Sequence, residues 1–293
     1  MDGSGSGARP ADRARGGRET RAPGRVTRVP RQRLDRLLVD RGLAPSRERA
    51  QALILAGVVR VDGRPSGKPG TLVAADAVLR RIGADHPFVG RGGVKLEGAI
   101  ATCRIEVAGR VAVDIGASTG GFTDCLLQRG ALRVYALDVG RGLLDWSLRT
   151  DARVVALEGL NARHLVPGDL PEPVDLAVID VSFISLRLIL PPLPPLLAPG
   201  ADVLALVKPQ FEVGRGEVGR GGIVRSPEKH LNALRAVAAA AGTAGFRIRG
   251  ACASLLPGAE GNREFFLHLA CPPAETIAGA ALEGLLGGIV HER

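Results

Sequence analysis

The sequence predicts an α/β protein in two parts: a doubly wound, mostly parallel seven-stranded sheet with an antiparallel last strand, preceded by a small, arginine-rich α+β unit. Three observations carry this prediction. Short apolar or β-branched runs recur between residues 111 and 271 with loop-length or helix-length spacers, the pattern of a parallel sheet with helices on both faces. The last two runs, 246 to 256 and 264 to 271, are joined by the Pro-Gly loop LPGAEGN and read as a hairpin. Charge is divided unevenly: residues 1 to 81 hold eighteen Arg/Lys against eight Asp/Glu, and the other 212 hold twenty-one against twenty-two. A basic module joined to a nearly neutral domain points to a polyanion as partner.

A chain of 293 residues with 45% hydrophobic content can bury a full core, and its length suits one large and one small domain. The longest apolar runs fall far short of the ~20 residues that a membrane helix requires. The arginines near the N-terminus have no apolar stretch behind them, so no secretory signal is read there. Cys103, Cys125, Cys252 and Cys271 form no CxxC pair, and His86, His164, His230, His268 and His291 show no metal-ligand spacing. The expectation is a cytoplasmic, monomeric protein without metal, disulfide or membrane partner.

Residues 1 to 30 are Gly, Arg, Pro and Ala with almost no large apolar side chain, and are expected to be a disordered basic tail. Leu34, Leu37, Leu38 and Val39 then stand at helical spacing before Gly42; Ser46 caps a second helix carrying Ala50, Leu53, Ile54 and Leu55. VVRVDG follows as a short strand closed by an Asp-Gly turn. Arg33, Arg36, Arg41, Arg47, Arg49 and Arg60 stud this unit, set at 31 to 84, and guanidinium groups suit the phosphates of a polyanion. A connector at 85 to 91 leads to a helix at 92 to 103. Strands are expected at 111 to 117, 133 to 140, 154 to 160, 174 to 181 and 201 to 209, with PPLPPLLAPG at 191 to 200 as a rigid loop. The large domain is placed at 92 to 272, leaving 273 to 293 as a C-terminal tail.

The first strand runs into DIGASTGGFTD, where Asp114, Gly116, Ser118, Thr119, Gly120 and Gly121 form a tight turn that leaves room for a ligand. Its GxxxGG spacing differs from the GxGxxG that seats a pyrophosphate, which disfavours a dinucleotide and fits S-adenosylmethionine. Asp138 ends the second strand, where a carboxylate can accept ribose hydroxyls, and Asn161 follows the third. The chain has 35 arginines and only four lysines, Lys68, Lys95, Lys208 and Lys229. A retained lysine suggests a need for a titratable amine, which arginine cannot supply. Lys208 and Asp180 stand at the carboxyl ends of the fifth and fourth strands, Glu264 opens the antiparallel last strand on the same edge, and Lys95 reaches that rim from the preceding helix. Two ordinary salt bridges would produce the same pattern.

The frame LDxLLVxRGLxxSRxxAxxLIxxGxVxVDG over about residues 31 to 81 resembles the S4 RNA-binding domain. Lys95, Asp180, Lys208 and Glu264 match in order and local motif the K-D-K-E tetrad of FtsJ/RrmJ-type ribose methyltransferases, within RGGVKL, DVSFISL, LVKPQFE and GNREFF. The whole from 31 to 271 resembles the TlyA family, rRNA cytidine-2′-O-methyltransferases also known as haemolysins. The resemblance implies a Rossmann-like class I methyltransferase fold, S-adenosylmethionine as cofactor, and ribosomal RNA or assembled ribosomal subunits as partner. The chemistry expected of these residues is Lys208 as a base, its pKa lowered from ~10.4 to ~7.5 by neighbouring Lys95 and by burial, about 4 kcal/mol of differential interaction, with Asp180 and Glu264 orienting the two amines and the target hydroxyl; alternatively Lys208 stays charged and only orients the hydroxyl. Phe88, in the connector DHPFVGRGG, departs from the larger aromatic residue expected there. A non-catalytic RNA-binding assembly factor and a membrane-active haemolysin are the rival readings.

Overall fold

The computed structural model describes residues 1, 30–81, 86–214, 216–258 and 261–292, so the tail expected at 1 to 30 lies almost wholly outside the described residues. The N-terminal unit opens with β1 (Arg31–Arg33) and packs α1 (Leu34–Asp40) against α2 (Arg47–Leu55). Ser46 starts α2 by accepting a hydrogen bond from Arg49 N at 3.2 Å. The strand β2 (Val59–Val61) turns through Asp62 and Gly63, both at positive φ, into β3 (Arg64–Pro65), a two-residue hairpin of the twisted type. Two further strands, β4 (Leu72–Ala74) and β5 (Leu79–Arg81), pair antiparallel with β1 and β2. Leu34, Leu37, Leu38, Ala50, Leu53, Ile54 and Val59 form the core of this unit.

Among these apolar side chains lies one charge, Asp35, fully buried. It accepts hydrogen bonds from Arg33 at 2.7 Å, Arg47 at 3.0 Å and Gln51 at 3.0 Å. The Arg33 bond, with those of Gln51 and Arg47, outweighs burial and holds its pKa well below the usual carboxylate range.

The larger unit begins with α3 (Arg91–Cys103), which leads to β6 (Val111–Ile115), α4 (Gly121–Gln128), β7 (Arg133–Asp138), α5 (Trp146–Arg149), β8 (Val154–Glu158) and β9 (Val174–Ile179). There follow β10 (Leu197–Val207), α6 (Pro209–Glu212), α7 (Pro227–Thr243), β11 (Arg247–Ala253), β12 (Phe265–Ala270) and α8 (Gly279–His291). The seven strands stand in the order β11-β12-β10-β9-β6-β7-β8, and β12 runs antiparallel to both neighbours. The hairpin thus folds back so that the last strand enters between β11 and β10. Strand order reverses between β6 and β9, and ligands of such sheets bind in the crevice where the carboxyl ends part.

Two expectations change. The loop expected at 191 to 200 already belongs to β10 from Leu197 on, with a register irregularity between Leu197 and Asp202. Pro199 lacks an N–H for the ladder, and Gly200 N turns instead to Pro272 O at 3.2 Å. The segment 273 to 293, expected as a tail, contains α8, whose Leu286, Ile289 and Val290 are buried in the main core. Arg263 holds the end of that helix by donating to Val290 O at 2.7 Å and Ile289 O at 3.1 Å. Substituting Leu286→Ala should therefore lower stability by about 2–5 kcal/mol in chemical denaturation followed by circular dichroism; an unchanged midpoint would return the segment to a tail.

Candidate active site

The turn after β6 is closed by main-chain bonds from Gly116 N and Ala117 N to Leu137 O, 2.8 and 3.1 Å. Gly116 sits at φ +88°, and a Cβ there would stand 2.5 Å from Asp180 O. Only glycine lets the first and fourth strand ends come this close, which sets Asp180 against the turn. A cavity of about 500 Å³ opens beside it, within the range of small-molecule sites. Gly116, Ser118, Thr119 and Gly121 line one wall, and Arg33, Gln51 and Lys68 of the N-terminal unit line the other. The N-terminal unit is braced there by Arg49, which pairs with Asp145 before α5 at 3.5 Å.

Lys95, Asp180, Lys208 and Glu264 all face this cavity. Lys95 Nζ lies 2.6 Å from Glu264 Oε2, and Lys208 Nζ lies 2.5 Å from Asp180 Oδ1 as a close ion pair. Lys208 also donates to Ser182 Oγ at 2.9 Å. A Cβ at Gly258 would stand 2.0 Å from Glu264 Oε1, so the hairpin loop crosses this carboxylate only because glycine is there. Burial pushes the Lys208 pKa down, yet the charges of Asp180 and Glu264 outweigh it and hold the pKa above the ordinary lysine value. The expected fall toward neutrality is thus reversed, because the neighbouring carboxylates, and not Lys95, dominate. Burial raises the Asp180 pKa, but Lys208 and Lys95 outweigh it and leave it lowered.

Other expected site residues take different places. Asp114 lies beneath the turn, fully buried, with Oδ2 accepting from Thr123 N at 2.9 Å and Thr123 Oγ1 at 2.7 Å. Its Oδ1 is buried without a hydrogen-bond partner. Burial, with added repulsion from Asp180 and Asp138, pushes its pKa up to about 7 against the Thr123 hydrogen bonds. An orphaned carboxylate oxygen among three acidic groups is a setting that a cationic ligand relieves, and sulfonium cofactors are cations.

Asp138 does not line the cavity: it accepts from Ser118 N at 2.8 Å and Gly140 N at 2.7 Å. Gly120, at φ +97°, lies under Leu144 and Leu148, also off the cavity lining. Asn161 is exposed and caps a short 3-10 turn by accepting from Arg163 N at 3.1 Å. Of the arginines, Arg33 and Arg47 converge on Asp35, Arg41 donates to Ala77 O at 2.6 Å, and Arg49 is mostly buried in its pair with Asp145. Arg36 is exposed on α1, and Arg60 is half-buried on β2. Phe88 is buried under α3, its ring so close to Gly93 that a Cβ there would stand 2.3 Å from it. Among the described residues no group of three or more His, Cys, Asp or Glu is placed to hold a metal.

Three residues at the site escaped sequence reasoning. Phe183 projects into the cavity, 85% exposed at φ +64°, with its ring 5.2 Å from that of Phe211. Glu212 is buried and fixes the loop that carries Phe183 by accepting from Ser185 Oγ at 2.5 Å and Leu186 N at 2.8 Å. Ser182 steadies Lys208, as described. The signal was present: DVSFISL and LVKPQFE each place a phenylalanine three residues beyond a cavity charge, in a chain with only seven.

Comparison with known proteins accords with this geometry. Residues 88–271 match the model of the FtsJ-like methyltransferases and residues 32–79 that of the S4 domain. The 16S/23S rRNA (cytidine-2′-O)-methyltransferase TlyA of Mycobacterium tuberculosis is 48% identical over 263 residues, 89% of this chain and 98% of that protein. YqxC of Bacillus subtilis, described as an rRNA methyltransferase, is 48% identical over 243 residues, 83% and 86% of the two chains. A solved structure of a Streptococcus thermophilus protein described as a hemolysin superposes with a TM-score of 0.68 at 41% identity, covering 89% of this chain and 96% of that one.

The raised Asp114 pKa has a thermodynamic signature. Between an unfolded value of ~3.9 and a folded value of about 7, the native state binds the extra proton, so stability falls as pH rises through this window. Urea midpoints at pH 5 and pH 7 should show that fall in the wild type and a smaller one in Asp114→Asn. Equal slopes for the two proteins would mean that Asp114 titrates normally.

Proposed function

The chain belongs to the TlyA family of FtsJ-like methyltransferases, and from this premise we propose that it methylates the 2′-hydroxyl of a cytidine ribose in ribosomal RNA. The observation that carries the reading is the meeting of two lysine-carboxylate pairs, Lys95–Glu264 and Lys208–Asp180, in one cavity beside the glycine turn. S-adenosylmethionine, when bound, supplies a methyl group made electrophilic by its sulfonium. Gly116, Ser118, Thr119 and Gly121 would hold it along the turn, with Asp114, fully buried and off the cavity lining, acting on its positive charge only at a distance.

What remains for the protein is to align a ribose oxygen with that methyl and to dispose of one proton. Lys208, held as an ammonium, anchors the hydroxyl oxygen rather than deprotonating it. The proton leaves late, when bonding to carbon has turned the oxygen into a strongly acidic protonated ether, and the Asp180 carboxylate receives it. Lys95 and Glu264 neutralise one another and keep the opposite wall rigid. Phe183 offers an exposed ring on which the target base stacks. Lys68 and Arg33, on the facing wall, are placed to meet phosphates.

Cytidine and ribosomal RNA are carried over from the named relatives. The haemolysin reading gains no support from the fold, because among the described residues no helix is long and apolar enough to cross a membrane.

The test is to incubate the purified chain with ribosomal subunits and methyl-labelled cofactor and to analyse the nucleosides by mass spectrometry. Labelled 2′-O-methylcytidine is expected; RNA binding without transfer would sink the proposal in favour of an assembly factor. Lys208→Met should lower kcat by ~10²-fold or more, whereas Lys208→Arg, which keeps the charge, should retain more of it. Since the Lys208 pKa lies above its ordinary 10.5, the ammonium persists throughout neutral pH and the rate should stay flat between about pH 7 and 9. A rate climbing with pH across that window would restore the base.

A further inference from the structure

Away from the cavity-lining Lys95, α3 ends on Cys103, half-buried, against the edge hairpin of β11 and β12. Cys103 packs against the buried cluster that contains Cys252 of β11, and Cys252 and His268 of β12 are the neighbours that act most on its thiol. The register of the hairpin sets His268 opposite Gly250, two residues from Cys252, so both side chains stand on the face that α3 covers. His268 Nε2 is held by Asp202 Oδ1 at 2.7 Å, and Asp202 Oδ2 takes Arg110 NH1 at 2.6 Å. Two cysteines and a carboxylate-braced histidine thus form one cluster, and neither the fold nor the proposed methyl transfer uses it.

The end of a helix is an unfavourable place for an anion, because the macrodipole is negative there. His268 offsets this. Burial pushes its pKa down, but Asp202 first and Cys103 second outweigh burial and bring it up to about 9, so the imidazolium and the Cys103 thiolate favour one another at neutral pH. The neighbouring Cys252 thiol and the nearby imidazolium lower the Cys103 pKa against the effect of burial and favour its thiolate. Neighbouring Cys103 and burial push the Cys252 thiol up, so it stays protonated. A thiolate beside a thiol and a cation is the arrangement found in reactive pairs and not in inert structural cysteines.

We propose that Cys103 and Cys252 are a redox-active dithiol, in which Cys103 is the nucleophile toward hydrogen peroxide and Cys252 is the resolving thiol. The Cys103 thiolate attacks one peroxide oxygen, an S–O bond forms as O–O breaks, and the departing hydroxide takes a proton to become water. Sulfur is oxidised to the sulfenic acid and peroxide is reduced. Cys252 then attacks that sulfur, the S–S bond forms as S–O breaks, and the leaving hydroxide carries off the Cys252 proton as a second water. Two thiols and one peroxide give one disulfide and two waters. The crosslink ties the helix that bears Lys95 to the strand beside the one that Glu264 opens.

The remaining cysteines are internal references. Cys125, which donates to Glu97 Oε2 at 3.5 Å, and Cys271 are both buried, and burial pushes both thiols up. Full-length protein treated with dilute peroxide and mapped by mass spectrometry should lose two hydrogens, yield one peptide joining Cys103 to Cys252, and revert with dithiothreitol. In Cys252→Ser, dimedone should label Cys103 as the trapped sulfenic acid. At neutral pH, iodoacetamide should alkylate Cys103 at least ~10-fold faster than Cys125 or Cys271 in the wild type, and His268→Ala should slow that reaction. The proposal is overturned if wild-type mapping, which needs no variant, finds Cys103 unmodified or oxidised to sulfinic acid with no crosslink to Cys252.

Discussion

A protein interior tolerates charge only when it is matched, and the cavity at the strand crossover is built around that constraint. An isolated ammonium or carboxylate transferred from water costs several kcal/mol even after relaxation, so Lys95, Lys208, Asp180 and Glu264 can line one cavity only as two neutral pairs. Pairing fixes more than energy. It decides the protonation state of Lys208, it aims Asp180 at the glycine turn, and it forces the hairpin loop to pass over Glu264 at a residue without a side chain. Removing one partner would strand the other, which is why these four positions behave as a unit.

The same rule governs the N-terminal unit and alters what its basic composition means. Eighteen cations over 81 residues suggest a surface free to meet phosphates. In the fold, Arg33 and Arg47 are drawn onto buried Asp35, Arg41 closes a loop by binding main-chain carbonyls, and Arg49 braces the two units through Asp145. The positive potential survives, since the charges remain, but these four side chains are anchored. Shape recognition of a folded RNA gains from such rigidity.

The mostly parallel sheet, its antiparallel last strand and the cavity charges were legible in the sequence because each follows from a periodic or local signal: alternating apolar runs, a closing hairpin, and a few lysines retained among many arginines. What stayed hidden depends on contacts between distant segments. The helix α8 reads as a glycine-rich tail until β11 and α7 supply the surface that buries Leu286, Ile289 and Val290. Asp138 and Asn161 carry the expected residue types, yet both meet main-chain N–H groups nearby, an option that short polar side chains always hold. Phe183 gave no signal of its left-handed backbone or of its exposure, because nothing in DVSFISL requires either.

The occupation of Asp138 has a thermodynamic corollary. Each of its oxygens accepts one amide hydrogen bond, from Gly140 and from Ser118, and keeps a further lone pair, so the turn fixes the carboxylate without closing it to another donor. A side chain already held by two backbone amides has little rotamer freedom left to lose when a further donor arrives, so the ordering that such an encounter would cost is met in folding.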